Sequence, residues 1–206
     1  MQQRYAGLVE ARAKERRFEL LDPVFARIFA ELQAPEFIAF VERVTGVSGL
    51  QSDATFSGAG LHQVRDGGYH NVHADANIHP ATGNFQRVNM LLYLNERWEP
   101  AWGGELELWD ASMSRCETRI APAFNRCLLI EVHDRAYHGY PRLHLPSGIT
   151  RKSLTCWYYS KEPHALQSRV SHPVAFQVRP TDTLGARAKH HLRRALSAVR
   201  SRLPHR

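Results

Sequence analysis

His73-Ala74-Asp75, His138 and, after it, Arg151 are the residues whose types and spacing suggest chemistry. Two imidazoles and one carboxylate are the set that grips one face of a ferrous ion and leaves the other face open to reactants. Side chains two positions apart on a strand project to one face, so His73 and Asp75 can take a single ion together. An extended chain cannot close the third position locally, and His138 supplies it from a distant part of the chain. It follows the apolar run Cys127–Val132 in a short polar loop where Gly139 and Pro141 permit a bend. A guanidinium such as Arg151 suits an anionic cosubstrate, because its planar fork holds a carboxylate through two parallel hydrogen bonds. The chain has 12 histidines, so the His-x-Asp pair alone carries little weight. His62, His70, His79, His133 and His144 compete with it. The spacing of His70 from His73 puts it on the other face of a strand, whereas His133 is close to His138 and stays an alternative.

These residues fall in a stretch with β character. From Gly46 onward, glycines break the chain and short β-prone segments follow. The expected strands are Leu61–Arg65, Asn71–Ala76, Arg87–Leu94, Glu105–Trp109, Thr118–Ile120, Cys127–Val132 and Arg151–Tyr159. In the last, Ser153, Thr155 and Trp157 share a face with Arg151, and Leu154, Cys156 and Tyr158 share the opposite one. Ahead of this core, residues 1 to about 45 read as helical. Leu8, Ala11, Phe18, Leu21, Phe25, Ile28, Phe29 and Leu32 recur near the helical period, and Pro23 and Pro35 stand where new helices begin. After the core, residues 166–206 read as a connection followed by a helix over 183–203, with Leu184, Ala188, Leu192, Ala195, Val199 and Leu203 on one stripe. The expected organisation is a helical layer (1–45), a β sandwich or barrel core (46–165) and a basic helical tail (166–206).

Composition narrows the function classes. The net charge of +7 is all in the tail: residues 183–206 carry seven of the 27 cations and no acid, and the remaining 20 cations balance the 20 acidic residues. A neutral body argues against a nucleic-acid-binding core, although the tail itself suits an anionic partner. Three cysteines without framework spacing argue against a disulfide scaffold, and the absence of CxxC argues against a structural zinc site. No apolar run approaches the length of a membrane span and Met1–Arg17 is polar, so a cytoplasmic protein is expected.

From about Phe56 to Tyr159 the chain resembles the 2-oxoglutarate- and Fe(II)-dependent dioxygenases of the prolyl 4-hydroxylase-like type. The likeness is carried by the Gly67-Gly68 turn before His73-Ala74-Asp75 and by Arg87-Val88-Asn89-Met90-Leu91-Leu92-Tyr93-Leu94-Asn95. Trp98, then Gly103-Gly104-Glu105-Leu106, then His138-Gly139, and Thr150-Arg151-Lys152-Ser153-Leu154 leading to Trp157-Tyr158-Tyr159 complete it. The resemblance implies a double-stranded β-helix, a cupin-like jelly roll holding the metal in its mouth. It implies His73, Asp75 and His138 as iron ligands, Arg151 and Tyr93 on the distal carboxylate of 2-oxoglutarate, and Thr155 lining the cosubstrate pocket. The cofactors implied are Fe(II), 2-oxoglutarate and dioxygen, with ascorbate in support. The reaction implied is hydroxylation of an unactivated C–H bond, in a prolyl or other amino-acid residue, as 2-oxoglutarate is decarboxylated to succinate. Because halogenating relatives vacate the carboxylate position and Asp75 fills it here, hydroxylation is expected rather than halogenation.

Two other readings compete. One is a cupin-like metal enzyme that uses no 2-oxoglutarate. The other is a non-enzymatic module that docks on an anionic partner through the basic tail. Neither the substrate, peptidyl or small-molecule, nor its regiochemistry is legible, and the oligomeric state is not encoded in any motif. Trp98, Trp102 and Trp109 suit a substrate groove and core packing equally well. Ala81-Thr82-Gly83-Asn84 reads either as a lid over the site or as an ordinary turn.

Overall fold

The computed structural model describes residues 3–6, 11–15, 23–56, 58–183 and 185 of the chain. Among the described residues, eleven strands form two antiparallel sheets. In chain order they are β1 (Gln3–Ala6), β2 (Ala11–Glu15), β3 (Gly60–Val64), β4 (His70–Ala74), β5 (Phe85–Tyr93) and β6 (Leu106–Trp109). They continue with β7 (Cys116–Ile120), β8 (Cys127–Glu131), β9 (His138–Tyr140), β10 (Arg151–Ser160) and β11 (Ala175–Phe176). The larger sheet runs β1-β2-β3-β10-β5-β8 and the smaller β11-β4-β9-β6-β7. Helices α1 (Pro23–Gln33) and α2 (Pro35–Thr45) precede the core. Their starts follow from Pro23 and Pro35, whose fixed φ suits a first turn and whose missing N–H costs nothing there. Helix α2 ends at Gly46, which takes φ 72° and returns its N–H to the Glu42 carbonyl.

The alternation of β10 decides what each face of the larger sheet does. Leu154, Cys156 and Tyr158 point to the helices, where they meet Phe29, Leu32, Val41, Val88 and Met90 in the main core. Burying one such side chain, Leu154 for example, stabilises the fold by about 1.5–3 kcal/mol. The Tyr158 hydroxyl donates to the Leu32 carbonyl at 2.8 Å, tying α1 to the sheet. The other face carries Arg151, Ser153, Thr155 and Trp157 towards the smaller sheet. Leu91 and Tyr93 of β5 meet Leu106 of β6 in a second cluster. A third, of Val64, Tyr140, Leu143 and Leu145, is covered by Trp98 and Trp102. The space left between the sheets is a cavity lined by His73, Asp75, His138 and Arg151, among others.

Three expectations change. Among the described residues, the helical reading of 1–45 holds from Pro23; Leu8, Phe18 and Leu21 lie outside the described residues. Gln3–Ala6 and Ala11–Glu15 are strands that extend the sheet beyond β3. Edge pairing supplies their backbone hydrogen bonds, and such tertiary pairing outweighs weak local propensity. His138 opens strand β9 rather than sitting in a loop. The connection after residue 165 contributes β11, whose Ala175 and Phe176 pair with Ala74 and His73. The basic helix expected over 183–203 lies outside the described residues, Thr183 and Gly185 excepted. No helix among the described residues is long and apolar enough to cross a membrane.

Candidate metal centre

Strands β4 and β9 lie side by side, and His73 is directly opposite His138 in their register. Cross-strand neighbours on one face bring their side chains within reach of each other. Asp75 follows β4 and turns to the same point. His73 Nε2 is 3.3 Å from one Asp75 oxygen, and His138 Nε2 is 3.5 Å from the other. One donor atom from each of the three residues lies within 4.8 Å of the other two. All three residues are buried.

Backbone carbonyls fix the imidazoles. His73 Nδ1 bonds the Asn71 carbonyl at 2.8 Å, and His138 Nδ1 bonds the Ala136 carbonyl at 3.0 Å. A carbonyl only accepts, so each Nδ1 carries a proton and each Nε2 is the nitrogen facing Asp75: it donates to the carboxylate when the ring is protonated and offers its lone pair to a metal when it is not. Burial pushes the Asp75 carboxyl upward. The charge of His138, the hydrogen bond and charge of His73 and the charge of His70 outweigh it and bring the carboxyl down to about 2. The carboxylate is therefore ionised and surrounded by groups that favour positive charge beside it. Two oriented imidazole nitrogens and an ionised carboxylate fit a divalent metal with open positions, the donor set suited to non-haem Fe(II).

Arg151, at the start of β10, is also buried. Its Nε donates to the Gly104 carbonyl at 3.0 Å and its NH2 to the Tyr93 hydroxyl at 3.1 Å. The guanidinium lies over the Tyr140 ring at 4.1 Å and the Tyr93 ring at 4.9 Å. Among the described residues, no carboxylate pairs with it. Burial raises the Tyr93 phenol above its ordinary value, against the opposing charge of Arg151, so the hydroxyl keeps its proton. Gly104 permits this packing. A Cβ there would lie 2.2 Å from Leu143 Cδ2 and 3.3 Å from the Arg151 side chain.

The triad and Arg151 open on one cavity of about 280 Å³. Thr155 lines it with a buried Oγ1 that has no hydrogen-bond partner. Of the charged side chains among its described lining, Asp75 is the only carboxylate and Arg151 the only guanidinium or ammonium. The structure thus brings His73, Asp75, His138, Arg151 and Thr155 to one space, with Tyr93 behind the guanidinium. His133 is excluded from the triad: it stacks on His164 with ring centroids 4.8 Å apart, outside the cavity. His70, expected on the far face, lines the cavity with its ring 4.1 Å from that of His73. The reason is a register shift between His70 and His73, which places two residues three apart on one side. Nothing in the sequence signals that bulge.

The tryptophans divide. Trp98 and Trp102 pack edge to face at 5.4 Å, and Trp109 Nε1 donates to Glu107. None of the three lines the cavity, whereas Trp157 does. The Ala81–Asn84 stretch is a tied turn, since His79 Nδ1 accepts the N–H groups of Ala81 and Thr82.

Residues 59–159 match the family model described as the 2OG-Fe(II) oxygenase superfamily. Solved structures share the fold. A prolyl-4-hydroxylase of Pseudomonas putida is similar with a TM-score of 0.53 and 17% identity over 78% of each chain. The viral collagen prolyl hydroxylase of Paramecium Bursaria Chlorella virus-1, a 2OG complex, gives 0.50 and 14%, covering 73% of this chain and 78% of that one. HygX of Streptomyces hygroscopicus, with nickel and 2-oxoglutarate bound, gives 0.50 and 14%, covering 84% and 81%. No curated protein sequence matches the chain.

Proposed function

The β core of this chain, residues 59–159, belongs to the 2OG-Fe(II) oxygenase superfamily, and from that premise we propose the reaction and the role of each residue. The chain is an Fe(II)- and 2-oxoglutarate-dependent oxygenase. Its proposed reaction is hydroxylation of an unactivated C–H bond, with peptidyl or free amino acids as the first substrates to test. One oxygen atom of dioxygen enters the product hydroxyl, the other enters succinate, and carbon dioxide leaves. The observation that carries this reading is the pairing of a buried two-histidine, one-carboxylate set with a buried guanidinium that has no acidic partner among the described residues.

His73, Asp75 and His138 would hold the iron. Bound with 2-oxoglutarate and dioxygen, the metal supplies the oxidising power to break a C–H bond. The protein supplies the positions. Arg151 and Tyr93 receive the distal carboxylate of 2-oxoglutarate: two Arg151 donors are engaged by Gly104 and Tyr93, and the rest of the fork is available. The protonated Tyr93 hydroxyl donates to the same carboxylate. Thr155, on the Arg151 face of β10, adds a hydroxyl to the lining of the same cavity. The aromatic rings of Tyr93 and Tyr140 shield this pair from water, which strengthens it. The residue likenesses to prolyl hydroxylases support an amino-acid substrate. The seven cations of residues 183–206 support an anionic partner for the tail.

A succinate-release screen with Fe(II) and ascorbate across pools of prolyl peptides, free amino acids, saccharides and small metabolites tests the reading. Succinate formation that depends on both metal and one pool is expected. Metal binding without any 2-oxoglutarate binding would leave a cupin-like enzyme of another chemistry.

A further inference from the structure

The three metal-site residues stand on β4, just after it and on β9. Residues 168–179, which lie beyond the family-matched stretch 59–159, are fastened along and across those strands. The first fastening is Asn77, two positions past Asp75 and buried. Its Nδ2 donates to the Ser168 carbonyl at 2.8 Å and the Val170 carbonyl at 2.9 Å, and its Oδ1 accepts the His172 N–H at 2.9 Å. The segment then runs beside β4 as β11. Phe176 stands opposite His73 with ring centroids 5.7 Å apart, and the Gln177 N–H donates to the Val72 carbonyl at 2.7 Å. The last fastening is Arg179, whose Nε donates to Glu107 of β6 at 2.7 Å.

That last contact works as a clasp. Leu106 and Leu108 pack inward, so Glu107 between them faces the outside of the smaller sheet. Its side chain is nevertheless only 5% exposed, and that of Arg179 13%. The sheet order β11-β4-β9-β6 puts β4 and β9 between the strand that leads to Arg179 and the strand that carries Glu107. One buried ion pair therefore spans the two strands that bring His73 and His138 together. Opposite Glu107 in the ladder is Gly139, which has no side chain to obstruct the span. Two buried charges lose in hydration much of what their attraction gains, so such a pair suits fixing one arrangement better than adding stability. We propose that Arg179 and Glu107 are positioning residues for the metal centre, their ion pair holding the segment over β4 and β9 and setting the separation of His73 and His138. This inference rests on the oxygenase reading of the site and adds to it residues outside the triad.

The test measures Ni(II) affinity of the full chain by calorimetry. Arg179→Met keeps the side-chain stem and removes the cation. Glu107→Gln combined with Arg179→Met removes both charges, so neither is left buried alone and the fold is expected to hold. Both variants are expected to bind Ni(II) at least about tenfold more weakly, the loss that follows when the support behind a ligand is removed. Arg179→Lys can supply the single N–H that Nε gives and is expected to restore most of the affinity. Arg119→Met is the control. Arg119 also reaches Glu107, at 3.4 Å, but it stands on β7, on the far side of β6 from β9, and ties nothing across β4 and β9. Its removal is expected to leave Ni(II) affinity near wild type. Co(II) loading adds a signature: the paramagnetically shifted ring N–H resonances of His73 and His138 should move in the two Arg179→Met variants and stay in place in Arg119→Met.

Unchanged Ni(II) affinity in the double variant overturns the proposal, because the strands then meet without the clasp. An equal loss in Arg119→Met overturns it too, because charge balance at Glu107 then explains the effect. A lysine at position 179 that binds Ni(II) no better than methionine does the same. If wild type binds Ni(II) and the variants match it, this inference alone fails. If wild type binds no Ni(II), the oxygenase reading fails with it.

Discussion

Removing the Arg151 guanidinium is the sharpest test of the cosubstrate pocket. Arg151→Ala deletes a buried cation that donates to Gly104 and Tyr93 and is overlaid by two tyrosine rings. If the rest of its fork holds a carboxylate, the substitution breaks a buried, charge-assisted pair. Truncating one member of such a pair costs about 2–5 kcal/mol, which at about 1.4 kcal/mol per decade is roughly a 30- to 4000-fold rise in Kd. Arg151→Lys keeps the charge but loses the fork, so it should fall between. The assay is calorimetric titration of 2-oxoglutarate into Ni(II)-loaded wild type and both variants, with Ni(II) titrated into each metal-free protein as control. The metal ligands sit on β4 and β9 and just after β4, not on β10, so metal affinity should stay within a few-fold. Unchanged 2-oxoglutarate affinity in Arg151→Ala refutes the assignment. An equal loss of metal and cosubstrate shows that Arg151 maintains the fold rather than the pocket.

Asp75→Ala removes the only carboxylate among the triad, so iron-dependent succinate formation should vanish; wild-type rates in that variant would remove Asp75 from the ligand set. The metal-free protein should lose stability in acid through the same residue. Asp75 is held at about 2 against an ordinary 3.8, so as pH falls the unfolded chain takes up the proton first. Stability present above pH 3.8 is lost progressively down to about 2, at about 1.4 kcal/mol per unit roughly 2.5 kcal/mol in all. Denaturant titrations across that window should show the slope in wild type and a shallower one in Asp75→Asn; superimposable curves would contradict the charge environment described. Gly139→Ala should cost about 1–3 kcal/mol and weaken Ni(II) binding. Its Cβ would lie 2.7 Å from the His70 carbonyl oxygen and 2.9 Å from Asn71 and Val72 backbone atoms, forcing β9 away from β4. A variant with intact metal affinity and a lowered melting temperature would show that the strands part without moving His138.

The residues that were legible in the sequence are those whose role depends on local spacing. Ser153, Thr155 and Trp157 share a face with Arg151 because a strand alternates, and that rule needs no knowledge of neighbours. The His73–Asp75 pair was readable for the same reason. His70 fails the rule because the β4–β9 ladder slips between His70 and His73, and a bulge is a property of two strands, not of one. The N-terminal strands escape the local pattern on similar grounds: what makes Ala11–Glu15 extended is its pairing with the edge of β3, which its own sequence does not contain. Gly139 shows both limits together. Its small size fits a bend, but the structure uses it inside a strand, where the backbone of β4 passes too close for a methyl group. The two histidines can meet across those strands because the residue beside one of them has no side chain. The ligand types are thus written locally, while the distance between them is set by a pairing that only the folded chain contains.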